Sequence, residues 1–246
     1  MVNDSEASNP PLTSFDAPNA SALDAVSQAL VECRRCPRLV EWRERVAEEK
    51  VARFSDDDYW GRPVPGFGDP GAAILIVGLA PAAHGANRTG RMFTGDRSGE
   101  FLFEAMEAVG LASQATATHA ADGLTLTDAF VTSVVHCAPP ANRPSPQERL
   151  ACRHWVEAEL DALEPKTILC LGAVSFSQIV RVLKDRGAPV SVPRPVFGHG
   201  IELPLGAGWP VVMASYHPSQ HNTFTGRLTQ PMLRAVLSRA IVLGSQ

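Results

Sequence analysis

Four short, continuous apolar runs constrain the fold of this chain more than any other feature. Runs of this kind are typical of strands that are buried on both faces of a parallel sheet. The predicted strands are AAILIVGLA at 72–80, AFVTSVVHCA at 129–138, TILCLGA at 167–173 and PVVMASYHP at 210–218.

Segments with helical spacing lie between these runs and after the last one, at 98–111, 145–165, 173–187 and 229–243. The second segment opens with Ser145, Pro146 and Glu148, which is the pattern of a capping box with proline at the first helical position. Alternating strands and helices predict a doubly wound α/β fold, with a central, mostly parallel, four-stranded sheet flanked by helices. A chain of 246 residues with 45% hydrophobic content suits one such domain.

The N-terminal segment differs in composition from the rest of the chain. Residues 1–22 are polar, rich in Pro, Ser, Asn and Ala, and without periodicity, which predicts a disordered tail ahead of a domain at 23–246. The formal charge is −4, but the first 32 residues hold five acidic and no basic residues, so the remainder is close to neutral. With no run of membrane-spanning length and no signal sequence, we expect a soluble, cytoplasmic protein.

Three of the predicted strands run into polar loops rich in Gly or Pro, at 78–96, 137–146 and 217–228. In open α/β sheets, ligands bind outside the carboxyl ends of the strands. We therefore expect the loops to form one cleft, in which the glycines of the first loop let backbone N–H groups approach a ligand. A merely flexible connection is the alternative for the first loop.

The five cysteines suggest a metal site. Cys170 lies inside an apolar run and is most simply a core residue. The others are a C-x-x-C pair followed by two single residues: Cys33, Cys36, Cys137 and Cys152. Four thiols in an intracellular chain favour a tetrahedral metal site over disulfides. Zinc and a four-iron cluster both accept four thiolates, and unconnected cysteines are the remaining alternative.

Three loop sequences, taken together with the cysteines, resemble one known family. They are GLAPAAHGANRTGRMFTGD at 78–96, VVHCAPPANRPSPQE at 134–148 and HPSQHNTFTGRL at 217–228. In this order they resemble the iron–sulfur uracil-DNA glycosylases, specifically family 5, over nearly everything after residue 30. The resemblance implies a uracil-DNA glycosylase-like fold and a [4Fe–4S] cluster held by Cys33, Cys36, Cys137 and Cys152. It also implies a structural role for the cluster, which would order the DNA-facing loop between the last two ligands.

Such a reaction needs a pocket for an extruded base. Cleavage of the bond between deoxyribose and base develops positive charge on the sugar and negative charge on the base, with water as the nucleophile. The flipped base also needs a stacking side chain. We predict that Phe93 supplies this face and that Gly78, Leu79 and Ala80 line the pocket. Alternatively, Phe93 anchors its loop to the core.

The first motif has no polar side chain at the usual water-activating position. Families that resemble this one often carry a polar or acidic residue just after the first glycine, where this chain has Leu79 and Ala80. Asp96 is the nearest carboxylate in the motif, and we assign it to orient water and to stabilise the cationic sugar. An N-cap for the following helix is the alternative role, and both can hold at once.

His217 and Asn142 complete the predicted base site. The resemblance implies a hydrogen bond from His217 to uracil O2, which would favour the departing base as negative charge develops on it. Asn142 is predicted to contact the base or its flanking phosphate. A structural histidine is the alternative for His217.

Arginines are expected to contact the DNA, because only three of the 22 basic residues are lysines. Bidentate phosphate contacts are predicted for Arg88, Arg91, Arg143 and Arg227. Asn222 and Phe224 complete the predicted DNA-binding set, in which Phe224 and Arg227 are suited to fill the space left by a flipped nucleotide. An ordinary solvated loop is the alternative for this last segment.

These features predict a monofunctional DNA glycosylase that starts base excision repair. Strand cleavage usually needs an amine, and Lys50, Lys166 and Lys184 lie outside all three motifs. The substrate would be DNA containing uracil, together with other deaminated bases such as hypoxanthine, because an apolar pocket rejects analogues weakly. We expect a monomer associated with the nucleoid. The alternative is an iron–sulfur or zinc module that binds DNA without catalysis.

Overall fold

The fold is described by a computed structural model, which covers residues 18–190 and 195–246. The helices are α1 Pro18–Val31, α2 Pro37–Glu49, α3 Ala86–Thr89, α4 Arg97–Ala108, α5 Pro146–Leu163, α6 Ala173–Asp185, α7 Gln220–Phe224 and α8 Gln230–Gly244. The strands are β1 Phe67–Gly68, β2 Ile74–Gly78, β3 Ala129–Ser133, β4 Thr167–Leu171, β5 Glu202–Leu203 and β6 Val211–Ser215.

A single sheet with the strand order β1-β3-β2-β4-β6-β5 forms the centre of the molecule. Its four inner strands are parallel and are the four predicted from the apolar runs. The sheet has six strands rather than the predicted four, because an antiparallel strand is added at each edge. Each added strand is only two residues long, which is too short to produce a recognisable pattern in the sequence.

Helices cover both faces of the sheet, as the continuous apolar runs require. Alternate residues of each strand enter opposite layers, so Leu75 packs with α5 and α6 while Ile76 packs with α4 and α8. Cys170 is fully buried on the side of α5 and α6, which confirms its prediction as a core residue. The capping box predicted at Ser145 and Glu148 is present at the start of α5.

The N-terminal region contains two helices that the sequence analysis does not predict. Helix α1 begins at Pro18, inside the segment 1–22 predicted as a tail, while residues 1–17 lie outside the described residues. Helix α1 packs on α5, and α2 buries Leu39, Val40 and Val46. Within the part of the chain that the structure describes, no helix is both long and apolar enough to cross a membrane.

Parallel pairing brings the predicted loops to one edge of the sheet. Gly78 at the end of β2 pairs with Ser133 at the end of β3, and Leu171 pairs with Ser215 across β4 and β6. The loops that follow β2, β3 and β6 therefore leave the sheet side by side. They are not purely irregular, since they contain α3, a 3-10 turn at Pro140–Asn142 and α7.

Candidate active site

A cavity of about 290 Å³ lies at this edge of the sheet. All three loops contribute to its wall, and six of the predicted site residues line it: Leu79, Ala80, Phe93, Asp96, Asn142 and His217. Gly78, also predicted to line the pocket, lies behind the ring of Phe93. The structure thus brings the predicted base-binding and catalytic residues together in one place.

Phe93 has a strained backbone conformation, and two glycines leave the space that it needs. Its φ is 52°, a left-handed value that non-glycine residues rarely adopt. A Cβ atom on Gly78 would lie 2.8 Å from the Phe93 ring, and one on Gly99 would lie 1.6 Å from the Phe93 carbonyl oxygen. The ring is half-buried, so it anchors the loop and lines the cavity at the same time.

Asp96 is both the N-cap of α4 and a wall of the cavity. Its Oδ1 accepts a hydrogen bond of 3.0 Å from the Gly99 N–H. Its Oδ2 lies against Gly85, where an added Cβ would come within 2.3 Å. Burial raises the pKa of Asp96 above its ordinary value, although the hydrogen bond from Gly99 opposes this effect. The predicted N-cap role is therefore confirmed, and it leaves the carboxylate facing the site.

His217 follows β6 and lies near Phe93, with 6.1 Å between the ring centroids and 31° between the ring planes. Burial lowers the pKa of His217 to about 4, so the imidazole is neutral at physiological pH. The His217 carbonyl accepts a 2.9 Å hydrogen bond from Asn222 Nδ2. This bond holds the His217 loop against α7, and it occupies one of the amide N–H donors of Asn222.

The backbone on either side of His217 is also fixed by close contacts. The N–H of Tyr216 donates to His199 Nδ1 over 3.3 Å, and the rings of these residues stack with centroids 5.2 Å apart. Gly172, with a φ of 101°, would place a Cβ 3.4 Å from the Cβ of His217. These contacts fix the chain at His217 by packing at the end of β6, and its ring has no hydrogen-bond partner among the described residues.

Asn142 lies at the exposed rim of the cavity. Both Ala141 and Asn142 have left-handed φ values, 52° and 55°. Asparagine tolerates this conformation better than most residues. The turn after β3 is thereby reversed, and its tip faces the mouth of the cavity.

The four cysteines predicted as metal ligands lie close enough for the charge of one thiol to raise the pKa of another. Cys33 and Cys36 lie between α1 and α2, Cys137 follows β3, and Cys152 lies in α5. Burial is the main cause that raises the pKa of Cys137 to about 11; the guanidinium of Arg43 opposes this rise, and Cys33 and Cys36 add to it. Among the described residues, no group of three or more His, Cys, Asp or Glu side chains is arranged to hold a metal ion.

Arg43 lies beside these thiols as a buried cation. It is 1% exposed, and its Nη1 is 2.9 Å from Cys137 Sγ and 3.3 Å from the Cys33 carbonyl oxygen. Its Nε has no hydrogen-bond partner within the described residues, and its ion pair with Glu44 spans 3.7 Å. A buried guanidinium next to neutral thiols is poorly neutralised.

Comparisons with known proteins agree with this geometry. The sequence profile described as the uracil DNA glycosylase superfamily matches residues 65–240. A type-5 uracil-DNA glycosylase of Mycobacterium bovis is 47% identical over 226 residues, which are 91% of this chain and 82% of that relative. A type-5 uracil-DNA glycosylase of Thermus thermophilus is 46% identical over 220 residues, which are 88% of this chain and 96% of that relative. The chain belongs to family 5 of the uracil-DNA glycosylase superfamily.

More distant members of the superfamily match at lower identity. A type-4 uracil-DNA glycosylase of Thermotoga maritima is 32% identical over 157 residues, which are 63% of this chain and 69% of that relative. The family 5 assignment confirms the resemblance inferred from the three loop motifs, and the structure confirms the α/β class that it implied.

Arg88, predicted to bind phosphate, is instead an internal residue of this family 5 fold. Its side chain is 11% exposed and pairs with Asp57 at 2.5 Å. It also donates to the carbonyl oxygens of His84 and Gly95, and its guanidinium lies 3.8 Å from the Phe54 ring centre. These contacts count against the phosphate contact predicted for Arg88, because Asp57 pairs with its charge and the first loop takes up two of its donors.

Arg91 is buried in the same way. It pairs with Asp122 at 2.8 Å, with both side chains 7% exposed. Its Nε donates to Thr94 Oγ1 and its Nη1 to the Ala120 carbonyl. Arg91 therefore joins the first loop to the segment before β3, which also counts against the phosphate contact predicted for it.

The other predicted DNA-binding residues lie at the surface around the cavity. Arg143 and Arg227 are exposed, and the Arg227 guanidinium lies 4.6 Å from the Tyr216 ring centre. Phe224 is 68% exposed at the end of α7. Their positions allow contact with a ligand at the mouth of the cavity, and their roles stay predictions.

Several lining residues are not among those predicted from the sequence: Ala86, Met92, Ser98, Ser133 and Ser219. Ser133 had a usable signal, because it ends β3 beside Gly78 and the carboxyl ends of parallel strands form ligand sites. Its hydroxyl donates to the Val135 carbonyl oxygen over 2.8 Å.

The burial of Arg91 predicts a loss of stability, not of phosphate binding, when it is replaced. Arg91→Ala leaves Asp122 buried without its cation and should lower the free energy of unfolding by about 3 kcal/mol, measured by urea denaturation. Arg181→Ala, at a side chain 68% exposed, should change it by less than about 0.5 kcal/mol. If Arg91→Ala were fully stable but bound DNA with a weaker salt dependence, the internal role would be wrong.

Proposed function

We propose that this chain hydrolyses the N-glycosidic bond of uracil in DNA and so starts base excision repair. The observation that carries the proposal is the convergence of Phe93, Asp96 and His217 on one cavity in a member of family 5. Names of relatives state uracil-DNA glycosylase activity for those proteins, and the same chemistry fits this cavity. The substrate is DNA in which the uracil nucleotide is turned out of the stack.

The reaction replaces one bond by another with water as the only co-reactant. A water oxygen forms a bond to C1′ of the deoxyribose while the bond from C1′ to N1 of uracil breaks. The electron pair of the broken bond leaves with uracil, which takes up a proton, and the water retains one hydrogen as the new hydroxyl. The site must stabilise a cationic sugar and an anionic base before these protons are distributed.

Asp96 acts on the sugar side in this proposal. Its carboxylate holds the attacking water and stabilises the positive charge on the deoxyribose. The hydrogen bond from Gly99 and the close approach of Gly85 fix its orientation, so little reorganisation is needed when charge develops.

His217 acts on the base side. With a pKa of about 4, the ring is neutral and donates one N–H toward uracil O2, where negative charge grows as the base leaves. The Phe93 ring stacks on the base, and the amide of Asn142 contacts the base or its flanking phosphate from the rim.

Asp96→Asn removes the charge while keeping the size of the side chain. We expect single-turnover release of uracil to slow by at least about a hundredfold, with a much smaller change in the Kd for DNA, because the lost charge acts mainly on the transition state. Because burial raises the pKa of Asp96 and the ionised form is needed, the wild-type rate should fall as the pH drops through that raised pKa. An unchanged rate in Asp96→Asn would remove this residue from the mechanism.

No lysine among the described residues lines the cavity, which supports hydrolysis without strand cleavage. Lys50 donates to the Ser55 carbonyl, and Lys184 lies in α6. Lys166 precedes β4, at the opposite end of the sheet from the site. The product is then an intact strand with an abasic deoxyribose.

Substrate range follows from the apolar wall formed by Leu79, Ala80 and Ala82. This wall has no polar side chain that would be left unpaired when a different base enters, so we expect it to discriminate weakly between bases. We therefore include deaminated purines such as hypoxanthine among the substrates.

Matched duplexes that contain uracil, hypoxanthine or thymine test this range. We expect release of uracil and hypoxanthine, and poor release of thymine paired with adenine, because a normal pair resists extrusion. Strict specificity for uracil would show that features other than side-chain polarity determine the selectivity. A chain that binds these duplexes but releases no base at all would be a DNA-binding module instead of an enzyme.

We further propose that Cys33, Cys36, Cys137 and Cys152 hold a [4Fe–4S] cluster. Four thiolates are a suitable donor set for it. Their charge would neutralise the buried guanidinium of Arg43, whose Nε has no hydrogen-bond partner in the described part of the chain. The cluster would order the segment between Cys137 and Cys152, which includes Asn142, and it takes no part in the hydrolysis.

The cluster proposal predicts a brown protein after anaerobic purification, with iron and acid-labile sulfide in equal amounts. Replacing any of the four proposed ligands with Ala should remove the colour and destabilise the protein. Cys170→Ala is the control, because Cys170 is fully buried in β4 and should leave the colour intact. A colourless protein that contains only zinc would contradict the proposal.

In this proposal the protein acts as a monomer in the cytoplasm, in association with the nucleoid DNA. The surface around the cavity carries the exposed residues Arg143, Phe224 and Arg227 for this contact. Phe224 is suited to fill the space that the flipped nucleotide leaves in the stack. Asn222 contributes through the loop that it ties to His217.

A further inference from the structure

Arg97 is an exposed arginine whose partner is an aromatic ring. It is the first residue of α4, and its guanidinium carbon lies 5.4 Å from the centre of the Phe224 ring. In the described part of the chain, Arg97 forms neither an ion pair nor a side-chain hydrogen bond. Its positive charge and its five N–H donors are therefore free.

The partners of the arginines around the cavity divide them into two groups. Arg88 and Arg91 are neutralised by Asp57 and Asp122 and are largely buried. Arg97 and Arg227 are exposed and lie over aromatic faces instead. An aromatic face orients a guanidinium without neutralising its charge. The N–H donors at the edge of the guanidinium then stay open for a phosphate.

The contact between Arg97 and Phe224 joins the two sides of the candidate active site. Arg97 directly follows Asp96, and α7, which ends at Phe224, begins three residues after His217. With 68% of its surface exposed, Phe224 has little packing of its own to fix the ring. The guanidinium is thus a principal support for the position of that ring.

We propose that Arg97 binds a DNA phosphate and, through its contact with Phe224, positions that ring at the mouth of the cavity. The proposal rests on the proposed function only in taking duplex DNA as the ligand. One arginine then serves two purposes, because the phosphate engages the edge of the guanidinium while the ring occupies its face. Binding of the backbone and placement of the ring are coupled.

The test measures the Kd for two duplexes by fluorescence anisotropy over a series of salt concentrations. One duplex is undamaged, and the other carries a tetrahydrofuran abasic analogue, which needs no base release. Arg97→Ala should weaken binding to both by about tenfold and reduce the slope of log Kobs against log salt by about 1. Arg97→Lys should restore the slope, since it keeps the charge. Arg181→Ala, near the C-terminal end of α6, is the control and should match the wild type.

Coupling is measured by a double-mutant cycle with Phe224→Ala. Phe224→Ala alone should weaken binding to the abasic duplex more than to the undamaged one, because only the former has a space to fill. The double variant, which carries both Arg97→Ala and Phe224→Ala, should lose affinity for the abasic duplex by a smaller factor than the product of the factors lost by the two single variants. Multiplicative losses would disprove the positioning of Phe224, and a wild-type salt slope in Arg97→Ala would disprove the phosphate contact.

Uracil release by the wild type is measured separately. If no uracil is released but the slope changes as expected, the proposed function fails and the phosphate contact of Arg97 stands. If uracil is released and Arg97→Ala binds as the wild type, the proposed function stands and the phosphate contact of Arg97 fails.

Discussion

The close approach of the Phe93 ring to Gly78 is the contact on which the rest of the site depends. It brings the first loop back over the end of β2 and requires a left-handed φ of 52° at Phe93. The strain is tolerated because Gly99 admits the Phe93 carbonyl where no Cβ would fit. The same turn places Asp96 at the N-terminus of α4, so ring and carboxylate reach one cavity from one loop.

The arginines around the cavity differ in burial and in the partners of their charge. Ion pairs to Asp57 and Asp122 hold the inner arginines and keep the first loop rigid. At the surface, Arg97 and Arg227 lie over rings that leave their charge available. A chain with a formal charge of −4 can therefore still carry exposed arginines beside Phe224 and Tyr216, since local charge and not the total governs the approach of a polyanion.

The four inner strands could be predicted from the sequence, because continuous apolar runs indicate burial on both faces of a sheet. The order of these strands and loops also predicted the edge of the sheet at which the loops meet. It missed β1 and β5, which contain two residues each. Asp96 and His217 were predicted from motifs, and the structure places both on the cavity. The roles of Arg88 and Arg91 could not be predicted, because their partners Asp57 and Asp122 lie 31 residues away in the chain and only folding brings them together.

Replacing Gly78 with alanine tests most directly whether the Phe93 ring forms the base site. The added Cβ would lie 2.8 Å from the ring and displace it, while the backbone φ of Gly78 is not left-handed. The expected result is a folded protein that releases uracil roughly a hundredfold more slowly in single turnovers, since small misplacements at a reacting site are costly. Gly71→Ala, with its nearest neighbour at 3.5 Å, should retain the wild-type rate. A wild-type rate in Gly78→Ala would contradict the account.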